Sequence, residues 1–102
     1  MAVARLAWFA ALLILTRGAH AQDIQAGEKI ARTWCAGCHQ VGRNPKAGSD
    51  AVPPFATVAA SKGMTTTALA VFLSTPHGKM PDYSLSRQQI RDVSAYIMSI
   101  KR

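Results

Sequence analysis

The chain has 102 residues, with 12 Lys and Arg against 5 Asp and Glu and a formal charge of +7. That length allows one small domain and excludes a multidomain enzyme. Two cysteines exclude a disulfide-dense scaffold, so a domain this small needs another source of stability, such as a metal or a cofactor.

Residues 1–21 read as a secretory signal peptide. Arg5 supplies the early positive charge, Leu6 to Leu15 is an unbroken apolar run of ten residues, and Ala19-His20-Ala21 is a small-x-small pattern before Gln22. Ten apolar residues fall short of the roughly 20 that cross hydrocarbon, which argues against a transmembrane anchor. Cleavage is expected after Ala21; Arg17, a charge close behind the run, is the discordant feature. The segment has no cysteine for lipid attachment. Residues 22–102 then form the working domain, exported to the periplasm, with 10 basic against 5 acidic residues and a net charge near +5. Export argues against nucleic acid as the partner. The positive charge favours a protein with an acidic docking surface.

Three stretches of the domain have helical periodicity and none reads as a good strand. The first spans about Asp23 to Trp34, with Asp23 as N-cap and Ile24, Gly27, Ile30, Ala31 and Trp34 near one face. Val41 to Pro54 is rich in Gly, Pro, Asn, Ser and Lys and reads as a loop. Phe55 to Ala60 suits a short helical turn, with Pro54 at its first position. Thr65-Thr66-Thr67 caps a helix over Ala68 to Ser74, which Pro76 stops. In the last helix Ser86 and Gln89 form a capping box, and Leu85 with Ile90 a hydrophobic staple. Its stripe is Ile90, Val93, Ile97 and Ile100, with Tyr96 beside it; Arg87, Gln88, Arg91, Asp92 and Lys101 fall mostly on the other side.

Between the first helix and the loop stands Cys35-Ala36-Gly37-Cys38-His39. Cys-x-x-Cys-His is the attachment pattern for haem c. Two thiols at this spacing can add to the two vinyl groups from one turn of chain, and a histidine directly after them can ligate the iron. Ala36 and Gly37 leave room for backbone to approach a porphyrin edge. Three other readings compete. Trp34-Cys35-x-x-Cys38 also resembles a thioredoxin-type dithiol, with Thr75-Pro76 as its cis-proline, but that fold needs strands. Zinc would lack a fourth ligand. A disulfide across two residues would close too small a loop to stabilise much.

Haem iron with His39 as one ligand needs a second ligand or an open position. Met80 lies in a Gly-Lys-Met-Pro-Asp turn outside the helical stripes, where a core-filling role is less natural. A thioether is a soft ligand that raises the reduction potential relative to a second imidazole. His77 and Met64 are its rivals.

The domain from Gln22 onward resembles the class I cytochrome c family, in particular its short bacterial single-haem members. The resemblance rests on Ala26-Gly27, Trp34-Cys35-Ala36-Gly37-Cys38-His39, Pro53-Pro54-Phe55, Leu69 with Phe72-Leu73, Lys79-Met80-Pro81, Leu85-Ser86 and Asp92-Val93-Ser94-Ala95-Tyr96-Ile97. It implies an all-α cytochrome c fold: three main helices and a short helical turn wrapped around one covalent haem. It also implies that Gly27 lets the first helix cross close to Tyr96. Pro53 matches the family proline whose carbonyl receives the His39 ring N–H, with Pro54 the alternative register. Arg43, Lys46, Lys62 and Lys79 are the candidate partners of the haem propionates.

Iron with both axial positions filled by protein leaves no site for substrate, and Asp50 and Asp82 are isolated. The expected function is therefore one-electron transfer, not catalysis. A diffusible periplasmic carrier leads; a small cytochrome subunit of a dehydrogenase, oxidase or sulfur-compound-oxidising complex is the alternative. A ligand-binding or peroxidatic haem protein would require Met80 to be off the iron.

Overall fold

The computed structural model describes residues 22–43, 52–75 and 78–101. Residues 1–21, read as a signal peptide, and Lys46, Asp50, Pro76 and His77 lie outside the described residues. Those described form helices and connecting turns with no strand, as the all-α expectation requires. The elements are α1 (Ile24–Ile30), a π-helical turn continuing it (Ala31–Cys35), α2 (Phe55–Ala60), α3 (Thr66–Ser74) and α4 (Arg87–Ser99).

Helix α1 starts where Asp23 turns its carboxylate back onto its own first turn, accepting the Ala26 N–H at 3.0 Å. Seven residues are far too few for a helix to stand alone in water, so α1 depends on what it packs against. That is α4. At the crossing stands Gly27: a Cβ there would lie 2.0 Å from the Asp92 carbonyl oxygen and 2.9 Å from the Tyr96 Cβ. Only glycine permits this approach. The expected crossing of Gly27 with Tyr96 is therefore present, at its closest against the backbone of Asp92.

Two expectations for these helices are corrected by that closeness. Asp92, placed on the outer face of α4 by its charge, is buried at 6% exposure. Its Oδ1 accepts the Asp23 N–H at 2.9 Å and the Gln88 Nε2–H at 2.7 Å, so the carboxylate ties the start of α1 to α4. The inward face of α1 is also narrower than its apolar residues suggest. Gly27, Ala31 and Cys35, spaced by four, are buried, whereas Ile24 and Trp34 are about half exposed.

The helical turn after Ile30 widens: the Ala36 N–H reaches back five residues to the Ala31 carbonyl at 3.0 Å. Such π-turns are rare and are often found beside functional groups. In α2, Pro54 is the cap and not the first helical residue; its ψ of 148° is extended, and its carbonyl accepts the Val58 N–H at 3.0 Å. Helix α3 begins two residues before the expected Ala68, because Thr65 alone serves as cap, its Oγ1 accepting the Ala68 N–H at 3.0 Å. The Ser74 and Thr75 hydroxyls donate to the Ala70 and Val71 carbonyls and close its last turn.

Helix α4 carries both halves of the expected capping box. Ile90, Val93, Ile97 and Ile100 are buried as one stripe, and the Tyr96 hydroxyl donates to the Val41 carbonyl. Phe55, Ala59 and Leu69 complete the core from α2 and α3. Ser94 is fully buried, and its Oγ has no hydrogen-bond partner among the described residues.

Candidate functional site

The π-turn delivers Cys35 to the interior at 9% exposure, and the chain then turns sharply. The Cys35 carbonyl accepts two N–H groups, from Cys38 at 3.1 Å and from His39 at 2.8 Å. This compact turn sets two thiols and an imidazole within five residues. Neither cysteine is in a disulfide; Cys35 is buried and Cys38 exposed. Burial pushes the Cys35 thiol above its ordinary range, because the thiolate would lose its hydration. A Cβ on Gly37 would meet nothing within 4 Å, so packing within the protein does not explain the glycine.

His39 is fixed by a second segment. Its Nδ1 lies 2.7 Å from the Pro53 carbonyl oxygen. A carbonyl can only accept, so Nδ1 carries a proton, and in the neutral ring Nε2 is then the nitrogen that offers a lone pair. The partner is Pro53 and not Pro54, whose carbonyl is engaged at the start of α2. The Phe55 N–H donates to the Gln40 carbonyl at 2.9 Å, holding the prolines beside the histidine. Phe55 also packs its ring on the His39 ring, with centroids 5.1 Å apart.

Beside this turn opens a cleft of about 450 Å³. Cys35, Cys38 and His39 line it together with Pro53, Phe55 and Val58. Met64, Leu69, Phe72 and Leu73 contribute from α3 and its approach, Met80 and Tyr83 from the loop after α3, and Val93 and Ile97 from α4. The cleft has the size of a cofactor pocket and almost wholly apolar walls. Its donor set is one imidazole nitrogen, two thiols and the thioethers of Met64 and Met80. That set suits haem: thiols to bind its vinyl carbons, nitrogen and thioether for iron, hydrocarbon for the macrocycle. It does not suit zinc, since among the described residues no group of three or more His, Cys, Asp or Glu could hold a metal ion.

All five residues singled out from the sequence, Cys35, Cys38, His39, Pro53 and Met80, therefore line one cleft. Met64 lines it too. Of the candidate propionate partners among the described residues, Lys79 lines the cleft while Arg43 and Lys62 do not. Sequence periodicity passed over the Trp34–Tyr83 contact, in which ring centroids stand 5.6 Å apart. Nothing in a lone tyrosine of a polar loop announces a partner half a chain away.

An all-helical shell, one apolar cleft and a Cys-x-x-Cys-His turn at its wall define a small single-haem c-type cytochrome. The comparisons with known proteins agree. A family described as "Cytochrome C oxidase, cbb3-type, subunit III" matches residues 22–97. Among curated proteins, cytochrome c-552 of Bradyrhizobium diazoefficiens is 42% identical over 81 residues, which cover 79% of this chain and 78% of the relative. No solved structure matches at a significant level. The chain thus belongs to the cytochrome c family, as a domain of this cbb3-type group. Membership carries a covalently bound haem c, electron transfer with redox partners, and no catalysis of its own. No helix among the described residues is long and apolar enough to cross a membrane.

Proposed function

We propose that the protein is a periplasmic one-electron carrier, with haem c attached through Cys35 and Cys38 and iron ligated by His39 and Met80. The observation that carries this reading is the 2.7 Å bond from His39 Nδ1–H to the Pro53 carbonyl. It frees Nε2 as the base for iron, orients the ring and increases its donor strength. The haem supplies a one-electron couple between ferric and ferrous iron. Pro53 holds the His39 ring ready, and the apolar walls of the cleft would surround the macrocycle. Of the two thioethers, Met80 is the better donor because its loop offers no competing packing role, whereas Met64 packs against the core. His39 and Met80 would both hold the iron, which would leave a substrate no place on it.

The excess of basic over acidic residues suits an acidic docking surface on the partner. Residues 1–21 serve as the export signal, cut after Ala21. Production in a host that attaches haem tests the whole reading. The pigment should stay with the chain after denaturation, and the oxidised protein should show the weak far-red band of methionine–iron ligation. Met80→Ala should abolish that band and Met64→Ala should leave it; the reverse pattern would move the ligand to Met64. Recovery in the periplasmic fraction, with a mass beginning at Gln22, tests export and cleavage.

A second reading, a subunit of a larger enzyme, is favoured by the family description, which names an oxidase subunit. Stable co-purification with a large catalytic subunit would support it. A monomer that exchanges electrons with unrelated cytochromes supports the carrier.

A further inference from the structure

The loop that bears Met80 is anchored at its far end by Leu85, which packs against the core, and has few other ties to the rest of the molecule. Among the described residues no backbone hydrogen bond joins residues 79–85 to the rest of the chain. Its own geometry is local: Gly78 and Ser84 take positive φ of 50° and 52°, and Asp82 Oδ1 accepts the Ser84 N–H at 2.8 Å. Met80, Pro81, Tyr83 and Leu73, which line the main cleft, also line a second hollow of about 130 Å³ together with Leu85. Met80 thus borders both hollows.

Among the described residues one aromatic contact joins this loop to the turn before the cysteines. The Tyr83 ring, three residues after Met80, meets the Trp34 ring at 5.6 Å and 46°, and Trp34 directly precedes Cys35. Both rings line the main cleft, and both remain substantially exposed, at 39% and 49%. A tilted aromatic pair at this spacing is attractive beyond its buried area.

We propose that the Trp34–Tyr83 pair is a clasp: it fixes the Met80 loop to the turn that carries the cysteines, and so sets how readily Met80 yields its place to an external ligand. Trp34 and Tyr83 are positioning residues in this scheme, acting through Met80. The inference rests on the assignment of Met80 as an axial ligand.

The test is a double-mutant cycle in the haem-loaded protein, with Trp34→Ala, Tyr83→Ala and the pair together, and Tyr83→Phe as the conservative variant. Two readouts report on Met80: the temperature at which the far-red band disappears, and the rate of carbon monoxide binding to the reduced form. Each alanine variant should lose the band at lower temperature and bind carbon monoxide roughly 2- to 10-fold faster, the factor expected of one aromatic pair. The double variant should be no worse than either single one. Tyr83→Phe should stay close to wild type. Global unfolding followed by helix signal should shift less than the band does, which separates positioning from general stability. Tyr83→Leu, in an exposed loop, serves if Trp34→Ala does not fold. A wild type without the band removes the Met80 assignment and the clasp with it. A wild type with the band, and alanine variants that match it or add strictly, overturns the clasp alone.

Discussion

The two sides of the cleft are built differently. On one, α1 and α4 meet backbone to backbone at Gly27, and Asp92 and the Tyr96 hydroxyl tie the neighbouring chain down. On the other, Phe72 of α3 lines the cleft yet stays 51% exposed, and the Met80 loop borders two hollows. The first side satisfies itself with protein contacts. The second has apolar residues facing space that a large apolar cofactor would fill. Protein packing thus builds a rigid frame, and the haem acts as the remaining part of the core.

The most severe way to break this contrast is to prevent attachment. With Cys35→Ala and Cys38→Ala together, no pigment should remain after denaturation, and calorimetry should show no cooperative melt. Hydrogen exchange should then find residual protection only in α1 and α4; equal protection in α3 would refute the division. Gly27→Ala attacks the frame itself. The new methyl would stand 2.0 Å from a backbone oxygen that cannot swing aside, so a loss of about 3 kcal/mol is expected from denaturant titration of the haem-loaded protein. Asp92→Ala should cost about 1–3 kcal/mol, since it strips the Asp23 N–H and the Gln88 amide of a buried acceptor.

Tyr96 adds a dependence on pH. Burial first, and then the negative charge of Glu28, raise its phenol above the ordinary range, against the smaller pull of Arg32 and Arg43. The folded state therefore prefers the neutral phenol. Its contribution is complete below about pH 10, the unfolded value, and is lost as pH rises through the folded-state pKa. Tyr96→Phe should cost about 1 kcal/mol at neutral pH by removing the bond to Val41, yet flatten the alkaline decline in stability. The smallest effect belongs to Ser94→Ala. Removing a buried hydroxyl that has no partner among the described residues should leave stability unchanged or raise it by up to about 1 kcal/mol.

The same contrast explains what could be read without coordinates. Helix α4 was legible because cap, box and stripe repeat one message within 15 residues. Cys35, Cys38 and His39 were legible because their chemistry depends on a spacing fixed along the chain. Asp92 misled because its charge predicts solvent, and only the crossing supplies the two donors that allow its burial. Ile24 and Trp34 misled for the converse reason: α1 presents little more than a line of small residues to its neighbour, which periodicity overestimates. The Trp34–Tyr83 contact depends on how the far loop folds back, and no local pattern encodes that. The His39–Pro53 bond could be anticipated only through family resemblance.

The widened turn at Ala31–Cys35 sets a phase. An α-helix advances about 100° per residue, and a π-turn takes up one residue more before the ladder resumes. The number of residues between the Gly27 crossing and Cys35 thus decides whether the first thiol points into the cleft or along the surface. Adding one residue there, after Thr33 for instance, would leave every ligand and the whole Cys-x-x-Cys-His string intact while turning the string about 100° away from its target. A search for the motif would score such a chain as unchanged, although its first thiol would no longer be in reach of the cofactor. What makes the string an attachment site is its angular setting relative to a glycine eight residues upstream.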